Sequence, residues 1–360
     1  MNVLVTGGLG FIGSNFVRLL LAERPGWHVV NLDLMTYAAN PENLKDVERT
    51  DRYRFLKGDV ADRKLVASLF REERFDAVIH CAAESHVDRS LSDSGRFLRT
   101  NVEGTLVLLE AALETAGLRY LQMSTDEVYG TLDLSESSFT EETNLAPRSP
   151  YSASKAAGDQ MALAFHHSHQ LDVVVTRCSN NYGPYQHPEK LIPLMITSAL
   201  RGRRLPVYGD GRQRRDWIHV DDHCRAVLAA LERGRAGEVY NFGGDAEREN
   251  LDVVRQVLEK TGGDDSLVQF VADRPGHDRR YSVDFAKAQR ELGWRPARSF
   301  ERGLEETVAW YREHEEWWST SAVGAYEDSA KRIRAWEEQA GVKRSTSDVE
   351  KHVSGNRCAE

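Results

Sequence analysis

A tyrosine and a lysine near the middle of the chain have the spacing needed to take a proton from an alcohol. Tyr151 and Lys155 stand four residues apart in a run that favours a helix, so their side chains lie on one face, about a turn apart. A phenol has an ordinary pKa of about 10, and an adjacent ammonium favours its phenolate, which accepts a proton as hydride leaves. Because this spacing also occurs on solvated helix faces, the prediction of a catalytic base depends on the surrounding sequence.

Two acids stand upstream of this pair, directly after a predicted buried strand at residues 119–123. The carboxyl end of a strand faces the ligand crevice in an open α/β sheet. Successive strand side chains point to opposite faces, so Asp126 and Glu127 reach one ligand together with Thr125 only if the chain turns there. We therefore expect the strand to end at about Thr125. The alternative is a solvated turn that carries two surface acids.

A dinucleotide-binding loop is predicted at the start of the chain, between an apolar strand at residues 3–5 and a helix with apolar periodicity. Gly7 permits the tight turn, and Gly10 lets backbone N–H groups approach a pyrophosphate at the helix N-terminus. Gly13 allows the helix to pack closely on the strand. In this context the three glycines predict a bound dinucleotide.

The second predicted strand, residues 28–32, ends at Asp33. A carboxylate at this distance from the glycine loop accepts hydrogen bonds from the adenosine ribose hydroxyls, and it repels a 2′-phosphate. The sequence therefore predicts NAD as the cofactor and disfavours NADP.

Alternating strands and helices continue to about residue 180 and predict an α/β fold with a doubly wound parallel sheet. After that point prolines interrupt the pattern, as expected for a smaller mixed α/β lobe over the crevice. We predict a Rossmann domain at residues 1–180, with returning segments from the second half, and a nucleotide-sugar-binding lobe at 181–318. Residues 319–360 are expected to form a partly disordered C-terminal extension, because residues 343–360 are strongly polar.

The formal charge of −9 over 360 residues disfavours a nucleic-acid or membrane-surface binder. No segment has the length and apolarity of a membrane span, so we expect a cytoplasmic protein. No metal site is predicted, because the cysteines lack ligand spacing and the histidines of residues 166–169 lack neighbouring acids. An anionic substrate would need a local basic patch, for which we select Arg215 and Arg274 because guanidinium groups suit a diphosphate.

Six motifs together resemble the nucleotide-sugar 4,6-dehydratases of the extended short-chain dehydrogenase/reductase group. They lie at residues 6–13, 82–90, 124–130, 151–155, 179–185 and 273–281, and the resemblance covers the chain to about Trp318. The tail beyond Trp318 is longer than is usual in this family. The resemblance implies that a nucleotide-activated glucose becomes a 4-keto-6-deoxy sugar. It favours dTDP-glucose and leaves UDP- and CDP-glucose open.

The resemblance also implies a role for each reactive residue. Tyr151 removes the C4 hydroxyl proton as hydride leaves for NAD, and Lys155 supports both Tyr151 and the nicotinamide ribose. Glu127 takes the C5 proton, and Asp126 protonates the departing C6 hydroxyl. Thr125 hydrogen-bonds the hexose. The residues implied at the cofactor are Gly7, Gly10, Phe11, Ile12, Gly13, Asp33, Thr36, Asp59, Val60, Ala82, Ala83, Thr100, Tyr151, Lys155 and Asn181. Those implied at the substrate are Ser85, Thr125, Asn180, Lys190, Leu191, Pro206, Tyr208, Arg215, Asn250, Arg274 and His277.

Two other functions stay open on the sequence. A nucleotide-sugar 4-epimerase or decarboxylase shares the fold, the NAD loop and the Tyr151 and Lys155 pair, but it has no need of an acid and base dedicated to dehydration. A non-catalytic NAD-binding regulator would need neither pair.

Related enzymes pair two helices across a two-fold axis, and we therefore expect a homodimer. The apolar positions that fit such a pairing are Leu106, Leu109, Ala112, Leu113, Ala157, Met161 and Ala164.

Overall fold

A central parallel sheet and a smaller lobe organise the chain in the computed structural model, which describes residues 1–274 and 276–339. The strands are β1 (Asn2–Thr6), β2 (His28–Asp33), β3 (Tyr53–Lys57), β4 (Ala77–His80), β5 (Arg119–Thr125), β6 (Asp172–Cys178), β7 (Asn180–Tyr182), β8 (Leu205–Tyr208), β9 (Arg214–His219), β10 (Val239–Phe242), β11 (Glu247–Glu249) and β12 (Val268–Val271). The helices are α1 (Phe11–Glu23), α2 (Arg63–Glu72), α3 (Val87–Ser90), α4 (Ser94–Phe97), α5 (Gly104–Leu113), α6 (Pro150–His169), α7 (Leu191–Leu200), α8 (Val220–Arg233), α9 (Asn250–Thr261), α10 (Ala286–Leu292), α11 (Phe300–Glu313) and α12 (Glu315–Gln339).

The central sheet has seven strands in the order β10-β6-β5-β4-β1-β2-β3, and every neighbouring pair in it is parallel. Parallel strands need helical crossovers, which cover both faces of the sheet. One face packs on α1 and α8, and the other packs on α2, α5 and α6. The predicted α/β class and doubly wound parallel sheet are confirmed.

The second half of the chain supplies both a small lobe and elements that return to the central sheet. Strand β10 joins that sheet, and helices α8 and α10 pack into its core. The lobe contains a three-stranded sheet, β11-β9-β7, and a two-stranded sheet, β12-β8. Its separate apolar core joins α7, α9 and α11 to the start of α12. This lobe is the smaller mixed α/β unit that the sequence predicts.

Helix α12 runs through residue 319, where the sequence pattern weakens. Its buried positions recur every three or four residues, as a helix packed on one side requires: Trp318, Ala322, Ala325, Ser329, Ile333 and Glu337. Small or polar residues occupy most of this stripe, so hydrophobic periodicity does not reveal it. Residues 319–339 are helical and form an ordered part of the C-terminal extension. The expected disordered tail, 343–360, lies outside the described residues.

Within the described residues, no helix is both long enough and apolar enough to cross a membrane.

Candidate active site

A cleft of about 340 Å³ opens at the carboxyl ends of the central strands, where an open α/β sheet binds its ligands. Every residue predicted at the cofactor lines it, and so does every predicted catalytic residue. Four predicted substrate residues outside the catalytic set also line it: Ser85, Asn180, Lys190 and Leu191. The chain thus brings the glycine loop, the acid pair and the tyrosine to one space.

The glycine loop has the geometry of a pyrophosphate cradle. Gly7 has a φ of 70°, and a Cβ there would lie 2.7 Å from the backbone of Ala82. A Cβ on Gly13 would lie 2.2 Å from the Gly7 carbonyl oxygen, so only glycine lets α1 approach the loop this closely. Gly10 precedes α1 and has no side chain to cap it. The first N–H groups of α1 are therefore donors for an anion.

Asp33 ends β2 with its carboxylate facing the same loop. Its Oδ2 accepts from the Leu9 N–H at 3.0 Å, and its Oδ1 accepts from the Met35 N–H at 2.7 Å. Burial raises the carboxyl pKa, and the two backbone donors oppose that rise. Each oxygen keeps a second lone pair that can accept a ribose hydroxyl.

The chain turns at the end of β5, as the acid pair requires. Thr125 is the last residue of β5, and its hydroxyl accepts from the Glu127 N–H at 3.3 Å, which caps a short 3₁₀ turn at Asp126–Tyr129. This turn brings Thr125, Asp126 and Glu127 to the same cleft. The predicted end of the strand at Thr125 is confirmed.

The two neighbouring acids have different electrostatic surroundings. Burial and the adjacent Glu127 raise the pKa of Asp126 well above its ordinary range. Burial also raises the pKa of Glu127, but Arg274, Lys190 and Arg215 all oppose this rise. Asp126 is therefore the better proton donor of the pair and Glu127 the better acceptor. Asp126 Oδ2 is also buried without a hydrogen-bond partner among the described residues, as expected of a group that meets a polar ligand.

A capping box sets the start of α6 and with it the position of the tyrosine. The Ser149 hydroxyl accepts from the Ser152 N–H at 3.1 Å, and the Ser152 hydroxyl accepts from the Ser149 N–H at 3.0 Å. Tyr151 consequently lies in the first turn of α6, buried against the cleft. The Asp159 carboxylate, two turns further on, accepts from Arg177 Nε at 3.0 Å, which anchors α6 to β6.

Lys155 lines the same cleft as Tyr151 and is held by strand β5. Lys155 Nζ donates to the Met123 carbonyl at 2.6 Å. Burial and the charge of Glu127 raise the pKa of Tyr151 well above 10, opposed by the Thr125 hydroxyl. Burial also lowers the pKa of Lys155. The helical spacing places both side chains at one cleft, but the backbone carbonyl of β5 holds the ammonium.

Six predicted substrate residues lie outside the cleft lining: Pro206, Tyr208, Arg215, Asn250, Arg274 and His277. Two of them are still close to the chemistry, because Arg215 and Arg274 lower the pKa of Glu127. Tyr208 is covered by His277 at 6.3 Å and by Trp336 of α12 at 5.5 Å between ring centroids. Pro206 lies on β8, and Asn250 is the first residue of α9.

Sequence reasoning missed a set of buried polar residues around the cleft. Glu189 has a side chain that is 3% exposed, and it accepts a hydrogen bond from the Tyr37 hydroxyl at 2.9 Å. The Arg89 guanidinium lies 3.8 Å from the centroid of the Tyr37 ring. Asp88 and Arg89 lie in the motif at residues 82–90, so the sequence does contain a signal that they belong near the site. The described residues contain no cluster of metal ligands and no disulfide.

The chain is similar to known proteins in both sequence and structure. A family model described as GDP-mannose 4,6 dehydratase matches residues 4–307. The dTDP-glucose 4,6-dehydratase of Streptomyces griseus is 54% identical over 322 residues, which cover 88% of this chain and 96% of that protein.

Two solved structures resemble the fold closely. The dTDP-glucose 4,6-dehydratase of Streptomyces venezuelae, crystallised with NAD and dTDP bound, has a TM-score of 0.86 and 52% identity. That match covers 89% of this chain and 100% of the crystallised one. The UDP-glucose 4-epimerase of Thermotoga maritima has a TM-score of 0.81 and 32% identity, and covers 87% of this chain and 99% of its own.

Proposed function

The chain belongs to the dTDP-glucose 4,6-dehydratase family, and from this premise we propose how its own residues carry out the reaction. It is an NAD-dependent lyase that converts dTDP-glucose to the 4-keto-6-deoxy sugar. The observation that carries this function is the acid pair: Asp126 and Glu127 share one cleft with Tyr151. A 4-epimerase needs the cofactor loop and the tyrosine but no acid and base for loss of water.

The reaction moves protons at the C4 hydroxyl, at C5 and at the C6 hydroxyl, and the cleft offers a residue for each site. Tyr151 accepts the C4 hydroxyl proton, which allows hydride to leave C4. The resulting ketone acidifies C5, and Glu127 takes the C5 proton. Asp126 protonates the C6 hydroxyl so that it leaves as water. Glu127, now protonated, can return a proton to C5 when hydride is added to C6. NAD, when bound, would accept the C4 hydride and supply it to C6.

We assign the following residues to the binding of NAD and of the nucleotide sugar. The glycine loop and the N-terminus of α1 would hold the NAD pyrophosphate, and Asp33 would hold the adenosine ribose; the fit rests on the uncapped helix N-terminus and the carboxylate lone pairs. Thr125 and Asn180 hold the hexose. Lys190, Arg215 and Arg274 hold the diphosphate, because all three are cations whose charges reach the acid pair and lower the Glu127 pKa. Tyr208 and His277 contact the base.

An assay with three substrates tests this function. We expect the purified protein to form a 4-keto product from dTDP-glucose in preference to UDP-glucose and CDP-glucose. Recovery of a C4 epimer with no keto sugar would contradict the dehydratase assignment. NAD bound to the protein with no turnover of any nucleotide-glucose would favour the regulator.

Replacing Asp33 by alanine is expected to weaken NAD binding about tenfold and to narrow the preference over NADP. The carboxylate accepts hydrogen bonds that are worth more than neutral ones, and its charge repels a 2′-phosphate. Calorimetric titration with both dinucleotides measures the change, and Asp51→Ala, which removes an exposed carboxylate, is the matched control. Unchanged affinities would place Asp33 away from the ribose.

We infer a homodimer built from exposed positions of α5 and α6. Leu113 is 40% exposed at the end of α5, and Ala157 and Ala164 are exposed on α6. Two positions expected at the interface are instead core residues: Leu109 and Ala112 are fully buried against the sheet. The face that can meet a second copy is therefore narrower than the sequence indicates.

Sedimentation at micromolar concentration is expected to give the mass of a dimer, and Leu113→Glu is expected to shift it toward the monomer. The new charge would be buried without a partner at an apolar interface. Leu134→Glu is the control, because it places the same charge on a leucine that is 56% exposed in a loop. A monomeric wild-type protein would overturn the inference.

The cysteines of the described residues are unpaired, which favours a reducing compartment such as the cytoplasm.

A further inference from the structure

The last turns of α12 lie against the residues assigned to the nucleotide. The Trp336 ring packs edge-on to Tyr208, with 5.5 Å between ring centroids. Arg332 Nε lies 3.4 Å from Asp88 Oδ2, and Arg274 Nη1 donates to the other oxygen, Asp88 Oδ1, at 3.4 Å. Two arginines, one assigned to the substrate and one from the C-terminal extension, thus face a single buried carboxylate.

Arginines and carboxylates gather beside α12. Carboxylates that pair with these arginines or act on them include Asp88, Glu84, Glu127, Glu189 and Asp328. The cations are Arg89, Arg274, Arg332 and Lys190, all of which act on His86. The Nε atoms of the three arginines are all buried without a hydrogen-bond partner among the described residues.

A buried hydroxyl of α12 lies beside these arginines. Ser329 is 2% exposed, and its hydrogen bond with Tyr208 opposes the rise in the Tyr208 pKa that burial causes. It lies one turn before Arg332, on the side of the helix that is buried. Buried donors in native proteins are nearly always paired, so arginine Nε donors that lack a hydrogen bond among the described residues indicate an anionic ligand.

We propose that Arg332 is a ligand of the substrate diphosphate and that Trp336 forms, with Tyr208, part of the wall around the base. This proposal rests on the proposed function and extends the substrate site to α12. Guanidinium groups bind diphosphate oxygens through paired, charge-assisted hydrogen bonds, and Arg274 Nε has no hydrogen-bond partner among the described residues. Asp88 holds Arg274 and Arg332 side by side and so orients both toward one anion.

The helix is anchored in a way that suits this role. Its first half packs Trp318 and Ala322 into the core of the small lobe, and Ile333 is buried near its end. Arg332 and Trp336 are four residues apart and therefore lie on one face.

The match to the Streptomyces venezuelae enzyme covers all of that chain but only 89% of this one, which leaves about a tenth of this chain without a counterpart there.

The test compares two substitutions that remove the same charge from the same helix. Arg332→Gln is expected to weaken dTDP binding about tenfold by calorimetry and to raise KM for dTDP-glucose by a similar factor, with kcat little changed. Arg334→Gln is the matched control, because Arg334 is exposed two residues away. NAD affinity is expected to be unchanged in both variants. Equal dTDP affinity in the two variants would overturn the proposal.

A second pair of measurements separates a contribution to binding from a blocking role. Trp336→Ala is expected to weaken dTDP binding, and bound dTDP is expected to slow amide hydrogen exchange in residues 326–339. A chain that ends at residue 325 and binds dTDP more tightly than the full chain would show that α12 competes with the nucleotide, and it would overturn the proposal. Turnover by the wild-type protein reports the proposed function independently, since the affinity ratios for dTDP need no turnover.

Discussion

Tyr151→Phe is expected to bind NAD and dTDP-glucose normally and to oxidise C4 about 10² to 10⁴ times more slowly than the wild-type protein. The phenyl ring keeps the packing of the first turn of α6 and loses only the atom that accepts the C4 hydroxyl proton. Rapid mixing of the NAD-loaded protein with substrate, followed by NADH absorbance, measures this step directly.

The size of this effect follows from where the phenol lies. Tyr151 is buried where it lines the cleft, so bulk solvent does not readily replace the lost phenol as the proton acceptor. Tyr185→Phe is the matched control, because it removes a phenol outside the cleft lining. Near-normal NADH formation by Tyr151→Phe would remove this residue from the mechanism.

The second large effect separates the two acids. Glu127→Gln is expected to reduce bound NAD with substrate but to exchange little solvent deuterium into C5, because an amide does not accept that proton. Asp126→Asn is expected to permit C4 oxidation and to stop before the C6 hydroxyl leaves. Each substitution is expected to slow turnover by about 10² to 10⁴.

The pH dependence distinguishes the two roles further. Asp126 acts when protonated, so its contribution is lost as pH rises through its raised pKa. Glu127 acts when ionised, so its contribution is lost as pH falls through its own pKa, which burial also raises. Wild-type turnover is therefore expected to fall on both sides of an optimum, and Asp126→Asn is expected to lose the fall on the alkaline side.

Two outcomes would contradict the separate roles of Asp126 as the acid and Glu127 as the base. If proton abstraction and water loss are concerted, both variants accumulate NADH and both exchange deuterium slowly, which keeps the joint role and contradicts the separate ones. Full dehydration by the double variant Asp126→Asn/Glu127→Gln would contradict the whole mechanism, since neither residue would then be needed.

The features that the sequence predicts well are those set by local backbone chemistry. Glycine at positions 7 and 13 has a steric requirement that can be stated without a structure, and the turn at Thr125 follows from the alternation of strand side chains. The partner of Lys155 was missed because it is a main-chain carbonyl on a strand 32 residues away, and a carbonyl has no residue type to signal it.

Helix α12 was missed for a different physical reason. Its buried stripe contains alanine and serine where a strong amphipathic pattern would have leucine, so its packing depends on close approach more than on apolar area. The four-residue spacing of Arg332 and Trp336 is visible in the sequence. It indicates a role in binding only because the structure places Arg332 beside Asp88 and Trp336 beside Tyr208.

On our proposed assignments, the substrate meets two groups of elements. The hexose would meet the end of β5 and the first turn of α6, and the nucleotide would meet the arginine-rich loop after β12 and the last turns of α12. Arg274 connects the two groups, because it shares Asp88 with Arg332 and also opposes the rise in the Glu127 pKa. A change in α12 that alters nucleotide binding would therefore also reach the base that takes the C5 proton.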